Sequence, residues 1–387
     1  MSSDTSIQPP ATIGVVGGGQ LGRMMVLEAR RMGFRTVVFT DEAPGCPGGQ
    51  VADEEINATF DDAEAKEDFL SKIDVCTYEF ENIPADFIAS IEAELPVHPS
   101  KFALETCQHR EREKLFLRGH DIPCAPFAVV DSAESLADAL EQIGTPCVLK
   151  TAAFGYDGKG QIKISEAPVD AAAVEKIWSD LDAPRGVLEG WVNFVAEVSV
   201  VAARGIGGSF APFPVSENIH TNHILDTTIV PARISDESAA SAVALAKSVG
   251  DALGYVGVFA VELFLLEDGS LVVNEIAPRP HNSGHYTIDA CDVSQFGMQI
   301  RAVAGLPLSA PRLLRPVAMV NLLGDVWPEA EVHPDWSPVL DDQDARLHLY
   351  GKRIARAGRK MGHFCVLADD AETAYMKSQE IMGELKR

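Results

Sequence analysis

Two glutamates, Glu262 and Glu275, stand in the stretch VGVFAVELFLLEDGSLVVNEIAPRP at a spacing that could hold a metal ion. The apolar, strand-like runs that carry them flank Asp268-Gly269, a dipeptide suited to a two-residue hairpin loop because both loop positions need positive φ. With that loop, Glu267 opposes Ser270, and counting outward places Glu262 opposite Glu275 on one face of an antiparallel ladder. Opposed Cβ atoms lie about 5 Å apart. Two carboxylates that close repel each other, and a cation between them offsets the cost. Hard oxygen ligands favour Mg²⁺, which commonly binds through one or two carboxylates plus substrate phosphates. A solvated pair on an exposed sheet face is the alternative.

Further polar residues could complete a phosphate site. Lys150 closes the apolar run Pro-Cys-Val-Leu, so its ammonium should emerge from a strand end. Soon after comes Gly155-Tyr156-Asp157-Gly158-Lys159-Gly160-Gln161, whose glycines let a backbone turn closely over phosphates as a flap; an ordinary glycine-rich hairpin loop is the plainer reading. Glu189-Gly190-Trp191-Val192 ends another strand, with Glu197 beyond it: an exposed strand edge could meet an adenine and a carboxylate the ribose hydroxyls. Trp191 reads as packing. A second glycine motif, Gly17-Gly18-Gly19-Gln20-Leu21-Gly22, follows a strand and opens a helix, and Asp41 stands about 20 residues on, as in a dinucleotide site. Glycines at a helix N-terminus suit any phosphate, so this motif alone does not establish a nicotinamide site.

The elements that must position these residues fall into three segments. Residues 12 to about 105 alternate strand-like and helix-like runs, the rhythm of a doubly wound parallel sheet. One helix is expected from Leu104 to Gly119. Pro126 to about Val195 reads as a small α+β unit, and the remainder carries long β runs with a helix near Ala239 to Leu253. The expected division is an N-terminal domain over 1–115, a lid over 116–194 and a C-terminal mixed α+β domain over 195–387.

In combination and order, a lysine-bearing strand, a glycine flap, a Glu-x-x-Val linker and a late hairpin with two glutamates resemble the ATP-grasp superfamily. GGGQLGRM (17–24), YEFENIP (78–84), GYDGKGQ (155–161), NEIAPRPHNSGH (274–285) and GRKMGH (358–363) narrow the resemblance to the ATP-dependent carboxylases of purine biosynthesis, the 5-(carboxyamino)imidazole ribonucleotide synthases. Ala277 stands where many superfamily members have a third metal-ligating Asn; water or phosphate oxygen would fill that position. The resemblance implies ATP, Mg²⁺, bicarbonate and 5-aminoimidazole ribonucleotide as reactants, carboxyphosphate as intermediate, and a homodimer.

Roles follow by the same resemblance. Arg110, Lys150 and the loop of Gly155, Tyr156, Asp157, Gly158, Lys159, Gly160 and Gln161 would contact ATP phosphates. Glu189, Gly190, Trp191, Val192, Glu197 and His220 would surround adenine and ribose, Asn274 belongs to the same pocket, and Glu262 and Glu275 would bind Mg²⁺. Arg279, His281 and Asn282 are assigned to bicarbonate or carboxyphosphate, since a guanidinium fork suits an oxyanion. Lys352, Arg359 and Lys360, with Gln20, would meet the 5′-phosphate; a solvated basic face is the alternative. Glu79, Tyr156 and Asp157 are expected near the aminoimidazole, with Asp157 and Lys352 counted among the catalytic groups.

A formal charge of −25 argues against nucleic acid or an anionic membrane as partner. Seven dispersed cysteines without a CxxC pair read as reduced, cytoplasmic thiols. No apolar run reaches the roughly 20 residues that span a bilayer, and the polar start lacks a signal-peptide pattern. Biotin carboxylase or a formate-using relative, a nicotinamide oxidoreductase, and a silent nucleotide-binding module are the competing readings.

Overall fold

The computed structural model describes residues 6–153 and 160–386. Three sheets organise them. In the first, β1 (Thr12–Val16), β2 (Arg35–Thr40), β3 (Glu54–Asn57) and β4 (Val75–Tyr78) lie parallel in the order β3-β2-β1-β4. Helices α1 (Gln20–Arg31), α2 (Ala63–Lys72) and α3 (Ala85–Glu92) connect or follow them, as buried parallel strands require. The expected helix from Leu104 to Gly119 is two: α4 (Lys101–Cys107) and α5 (Arg110–Gly119). His109 leaves the helical region (φ −131°) and bridges to Ala153, which aims α5 afresh.

The second sheet, β5-β8-β6-β7, is antiparallel. It comprises β5 (Phe127–Val130), β6 (Cys147–Thr151), β7 (Gln161–Ile164) and β8 (Gly186–Gly190), covered by α6 (Ala133–Ile143) and α7 (Ala171–Leu181). Ser132 caps α6 by accepting from the Ser135 amide, the local signal its Ser-Ala-Glu-Ser start carried.

The third sheet has nine strands. They are β9 (Phe194–Arg204), β10 (Phe210–Pro212), β11 (Ser216–Thr221), β12 (Ile224–Val230), β13 (Gly257–Leu266), β14 (Leu271–Ala277), β15 (Val317–Leu323), β16 (Ala345–Leu349) and β17 (Lys360–Leu367). Eight run in the order β14-β13-β9-β11-β12-β15-β17-β16, and β10 pairs β9. Helix α8 (Asp236–Ala252) packs on β9 and β13 through Ala242, Ala246 and Val249, and α10 (Gln295–Val303) covers the other face and meets α1. Short α9 (Thr287–Ala290) and α11 (Ser337–Leu340) precede the closing α12 (Ala371–Leu385). Among the described residues no helix is long and apolar enough to cross a membrane.

Candidate functional site

The β13–β14 hairpin brings Glu262 opposite Glu275, as expected, but by a different route. Its loop has three residues, not two: Leu266 donates to Ser270 O at 2.9 Å and Gly269 to Leu266 O at 3.0 Å, with only Gly269 at positive φ (82°). That loop pairs Leu263 with Val273, one residue out of the expected register. A bulge at Asn274 then restores it, so that Glu262 meets Glu275 on one face. Burial would raise the Glu262 carboxyl, yet the His281 hydrogen bond and the nearby His281, His220 and Arg279 hold it at about 2. Glu275 moves the other way: burial raises it, Arg110 opposes, and the charges of Glu262 and Glu81 add to the rise. Two facing carboxylates that both line one cavity fit a divalent cation taken up with substrate phosphates, which would offset their repulsion.

That cavity is about 440 Å³ and draws its walls from the second and third sheets, with Glu81 reaching it from the loop after β4. The second sheet contributes Lys150, Gly160, Gln161, Glu189 and the turn Gly190-Trp191-Val192. The third contributes Glu197, His220, Glu262, Asn274 and Glu275, followed by Arg279, His281, Asn282 and Lys360. Arg110 enters from the N-terminus of α5. Gly155, Tyr156, Asp157, Gly158 and Lys159, assigned to phosphates, substrate and chemistry, lie outside the described residues.

Glu189 departs from its expected place beside adenine. Its carboxylate, 4% exposed, sits among three cations: Lys150 at 3.1 Å, Lys114 at 3.2 Å and Arg110 at 3.8 Å. Burial would raise it, but Lys114, Lys150 and Arg110 hold it at about 2. Burial correspondingly lowers Lys150, which Glu189 partly restores. β8 is an inner strand whose end meets the cavity: the amides of Gly190 and Trp191 donate to Pro126 O and Pro146 O, and Gly190, Trp191 and Val192 line the cavity wall. An adenine-sized flat surface remains at Trp191, 40% exposed with Lys163 Nζ 3.9 Å from its ring centre, and at Phe194 stacked on Phe264 at 4.5 Å. Glu197 Oε2 lies 3.1 Å from His220 Nδ1. Burial lowers His220, but Glu197 and Glu262 outweigh it and raise it overall.

Arg279 does not present a free fork. Its Nε donates to one oxygen of Glu81 and its Nη2 to the other at 3.0 Å. This correction exposes a residue that the sequence reading passed over, although Glu81 stands in the same YEFENIP motif as Glu79. Asn282 is different: it is 8% exposed and, among the described residues, neither its amide nitrogen nor its oxygen has a partner, a cost expected only where a ligand supplies one. His281 Nδ1 lies 2.9 Å from Ser283 Oγ and its Nε2 3.0 Å from Glu262 Oε1, so the ring bridges its own loop to the carboxylate pair.

A second cluster lies beside the cavity. Gln20 Oε1 accepts from Lys352 Nζ, which also donates to Lys360 O at 2.7 Å. Arg359 Nη1 donates to Ile354 O at 2.7 Å, so it braces the basic loop. The Glu79 carboxylate accepts from Gly19 N and, at 2.7 Å, from Gly22 N. It therefore fills the anion site at the start of α1 where a dinucleotide phosphate would bind. The glycines serve that contact: a Cβ on Gly19 would stand 2.6 Å from Glu79 Oε1, and one on Gly22 2.7 Å from Gly17 O. Nor do the thiols offer a nucleophile; burial pushes Cys46 up to about 12.

Comparison with known proteins decides the family. A family model of the ATP-grasp domain matches residues 115–296, one of the ribonucleotide synthetase preATP-grasp domain residues 10–108, and one of the phosphoribosylaminoimidazole carboxylase C-terminal domain residues 317–377. The N5-carboxyaminoimidazole ribonucleotide synthase of Brucella melitensis is 45% identical over 359 residues, which span 93% of this chain and 97% of that protein. The chain belongs to the N5-carboxyaminoimidazole ribonucleotide synthase family. It is accordingly an ATP-grasp ligase. The Bacillus subtilis synthase is 44% identical, over 92% of this chain and 91% of its own. A crystal structure of an ADP complex of a synthetase of this name superposes with a TM-score of 0.89 at 42% identity, covering 99% of this chain and 100% of that one. The Aspergillus clavatus synthase in complex with ADP and 5-aminoimidazole ribonucleotide gives 0.86 at 30% identity, covering 97% and 99%.

Proposed function

We propose that this chain carboxylates the exocyclic amine of 5-aminoimidazole ribonucleotide, using ATP and bicarbonate, and releases N5-carboxyaminoimidazole ribonucleotide, ADP and phosphate in purine biosynthesis. The observation that carries the reading is the cavity in which the facing Glu262 and Glu275 meet Arg110 and Lys150, within a chain whose relatives bear that name. The relative from Aspergillus clavatus was solved with ADP and the aminoimidazole nucleotide bound, which supports the same pair here.

Bicarbonate is a poor electrophile because its charge is delocalised and hydroxide leaves badly. In the proposed first step a bicarbonate oxygen displaces ADP from the γ-phosphorus, giving carboxyphosphate. In the second, the amine attacks the carboxyl carbon, directly or as released CO₂, and phosphate departs as the amine loses a proton. Such chemistry depends on positioning and charge neutralisation more than on a covalent nucleophile. Arg110 and Lys150 would neutralise the phosphates and keep Glu189 as their shared counter-charge. Glu262 and Glu275 would hold Mg²⁺, which supplies further charge neutralisation at the phosphates. Asn282, which has no side-chain partner among the described residues, would take the bicarbonate oxyanion, with His281 beside it, whereas Arg279 would fix that loop through Glu81. Gln20, Glu79 and Lys352 would face the nucleotide acceptor, with Lys360 between the two clusters. Domains over 1–115, 116–194 and 195–387, a cytoplasmic setting and a homodimer complete the proposal.

The test is the product. With labelled bicarbonate, ATP, Mg²⁺ and the aminoimidazole nucleotide, label should appear in a trapped carboxylated nucleotide, and phosphate release should need that nucleotide. Phosphate release indifferent to the acceptor would refute the reading. Glu275→Ala should abolish turnover while metal-free ADP still binds.

A further inference from the structure

Strand β14 lies at the edge of its sheet, so backbone groups on its outer side need partners from elsewhere. Val273 N donates to Pro123 O at 2.8 Å. The next two partners are side chains of α5: Lys114 Nζ donates to Asn274 O at 3.0 Å, and Glu113 Oε2 accepts from Ile276 N at 3.0 Å. These are the two peptide groups on either side of Glu275.

Glu113 and Lys114 are 2% and 0% exposed. Burying an acid and a base in a helix that could pack through apolar groups is costly, and is offset only by good hydrogen bonds. With Arg110 they lie on one face of α5, three and four residues along. Lys114 also reaches Glu189 Oε2 at 3.2 Å, which joins the phosphate-side cations to the metal strand.

The position clamped is the one that decides orientation. Asn274 is the extra residue between the Leu263–Val273 and Glu262–Glu275 pairs. A slip of one residue in a strand moves each side chain to the opposite face. We propose that Glu113 and Lys114 are positioning residues for the metal: they clamp both peptide groups flanking Glu275 and so hold its carboxylate on the face shared with Glu262. This rests on the reading of Glu262 and Glu275 as metal ligands.

The experiment uses Mn²⁺ as probe, titrated into the full chain with ADP and followed by paramagnetic resonance, alongside hydrogen exchange over residues 271–277. Glu113→Ala and Lys114→Met should weaken Mn²⁺ roughly ten- to a hundredfold and speed exchange in that strand. Glu113→Ala should leave metal-free ADP affinity unchanged. Glu113→Gln, whose amide oxygen still accepts from Ile276, should stay close to the parent. Mn²⁺ affinity unchanged in Glu113→Ala overturns the clamp, and so does a Gln variant as weak as the Ala one, since charge and not the hydrogen bond would then matter. If Glu113→Ala does not fold, Lys114→Met decides by the same two readouts. Glu275→Ala separates the ideas: undiminished Mn²⁺ binding there refutes the metal reading itself, whereas loss there with no loss in the α5 variants refutes only the clamp.

Discussion

Lys352 is the residue whose surroundings make the most measurable demand. Burial, with Arg359 nearby, lowers its ammonium to about 8, against the pull of Glu79. Folded Lys352 thus releases its proton in a range where an unfolded lysine, near 10.4, keeps it. Between those values the unfolded chain binds more protons, so this group's contribution to stability rises with pH there. Under the proposed role of Lys352 at the 5′-phosphate, substrate capture runs in the opposite sense, because that phosphate would lose its counter-charge. kcat/KM for the nucleotide, which reports the free enzyme, should therefore fall as pH rises through about 8, and Lys352→Arg should flatten that limb. A profile equally steep in the arginine variant would assign the titration elsewhere. At this scale residue identity was legible but partnership was not. Arg279 and Glu81 are 198 positions apart, and no local pattern joins them.

At the scale of elements, the start of α1 and the β13–β14 hairpin carry the same lesson from opposite sides. GGGQLG reads as a phosphate loop, and it does bind an anion, but that anion is Glu79, brought from the end of β4. Gly22→Ala would place a methyl 2.7 Å from Gly17 O. Overpacking of this kind costs about 1–3 kcal/mol, so urea unfolding should find the variant less stable by that amount. Nicotinamide nucleotides should leave its melting temperature unmoved; a rise would show that the motif accepts them after all. In the hairpin, a count from a two-residue Asp-Gly loop put Glu262 opposite Glu275, and the structure has that pairing but not that loop. The three-residue loop and the Asn274 bulge displaced the register in opposite directions and cancelled, and the bulge depends on α5, which no hairpin rule contains.

For the whole molecule, the cavity lies between the second and third sheets, closed by Arg110 of α5 and Glu81 after β4, so a ligand there should tighten these parts together. ADP with Mg²⁺ at about 100 times its dissociation constant should stabilise the fold by about 2.7 kcal/mol, visible as a higher melting temperature. Hydrogen exchange should slow at once around Arg110, in β6 and β8, and in β13 and β14; protection confined to one sheet would mean that the walls do not act as one site. The basic loop at 352–360 would, in the proposed role, let a chain of net charge −25 receive an anionic substrate, because screening within about 10 Å at 0.1 M salt lets a local field differ from the total. Hydrophobic period, turn residues and motif order act over short stretches, and from them the chain alone settled its parallel and antiparallel segments and the family, whereas the exact hairpin register was decided by the bulge at Asn274. Which charge meets which was decided by folding. Burial makes an unpaired ion or polar group so costly that Glu189, Glu81, Glu79 and Glu113 each take partners from distant segments, cations for the first two and backbone amides for the others, and those distances have no trace in local sequence.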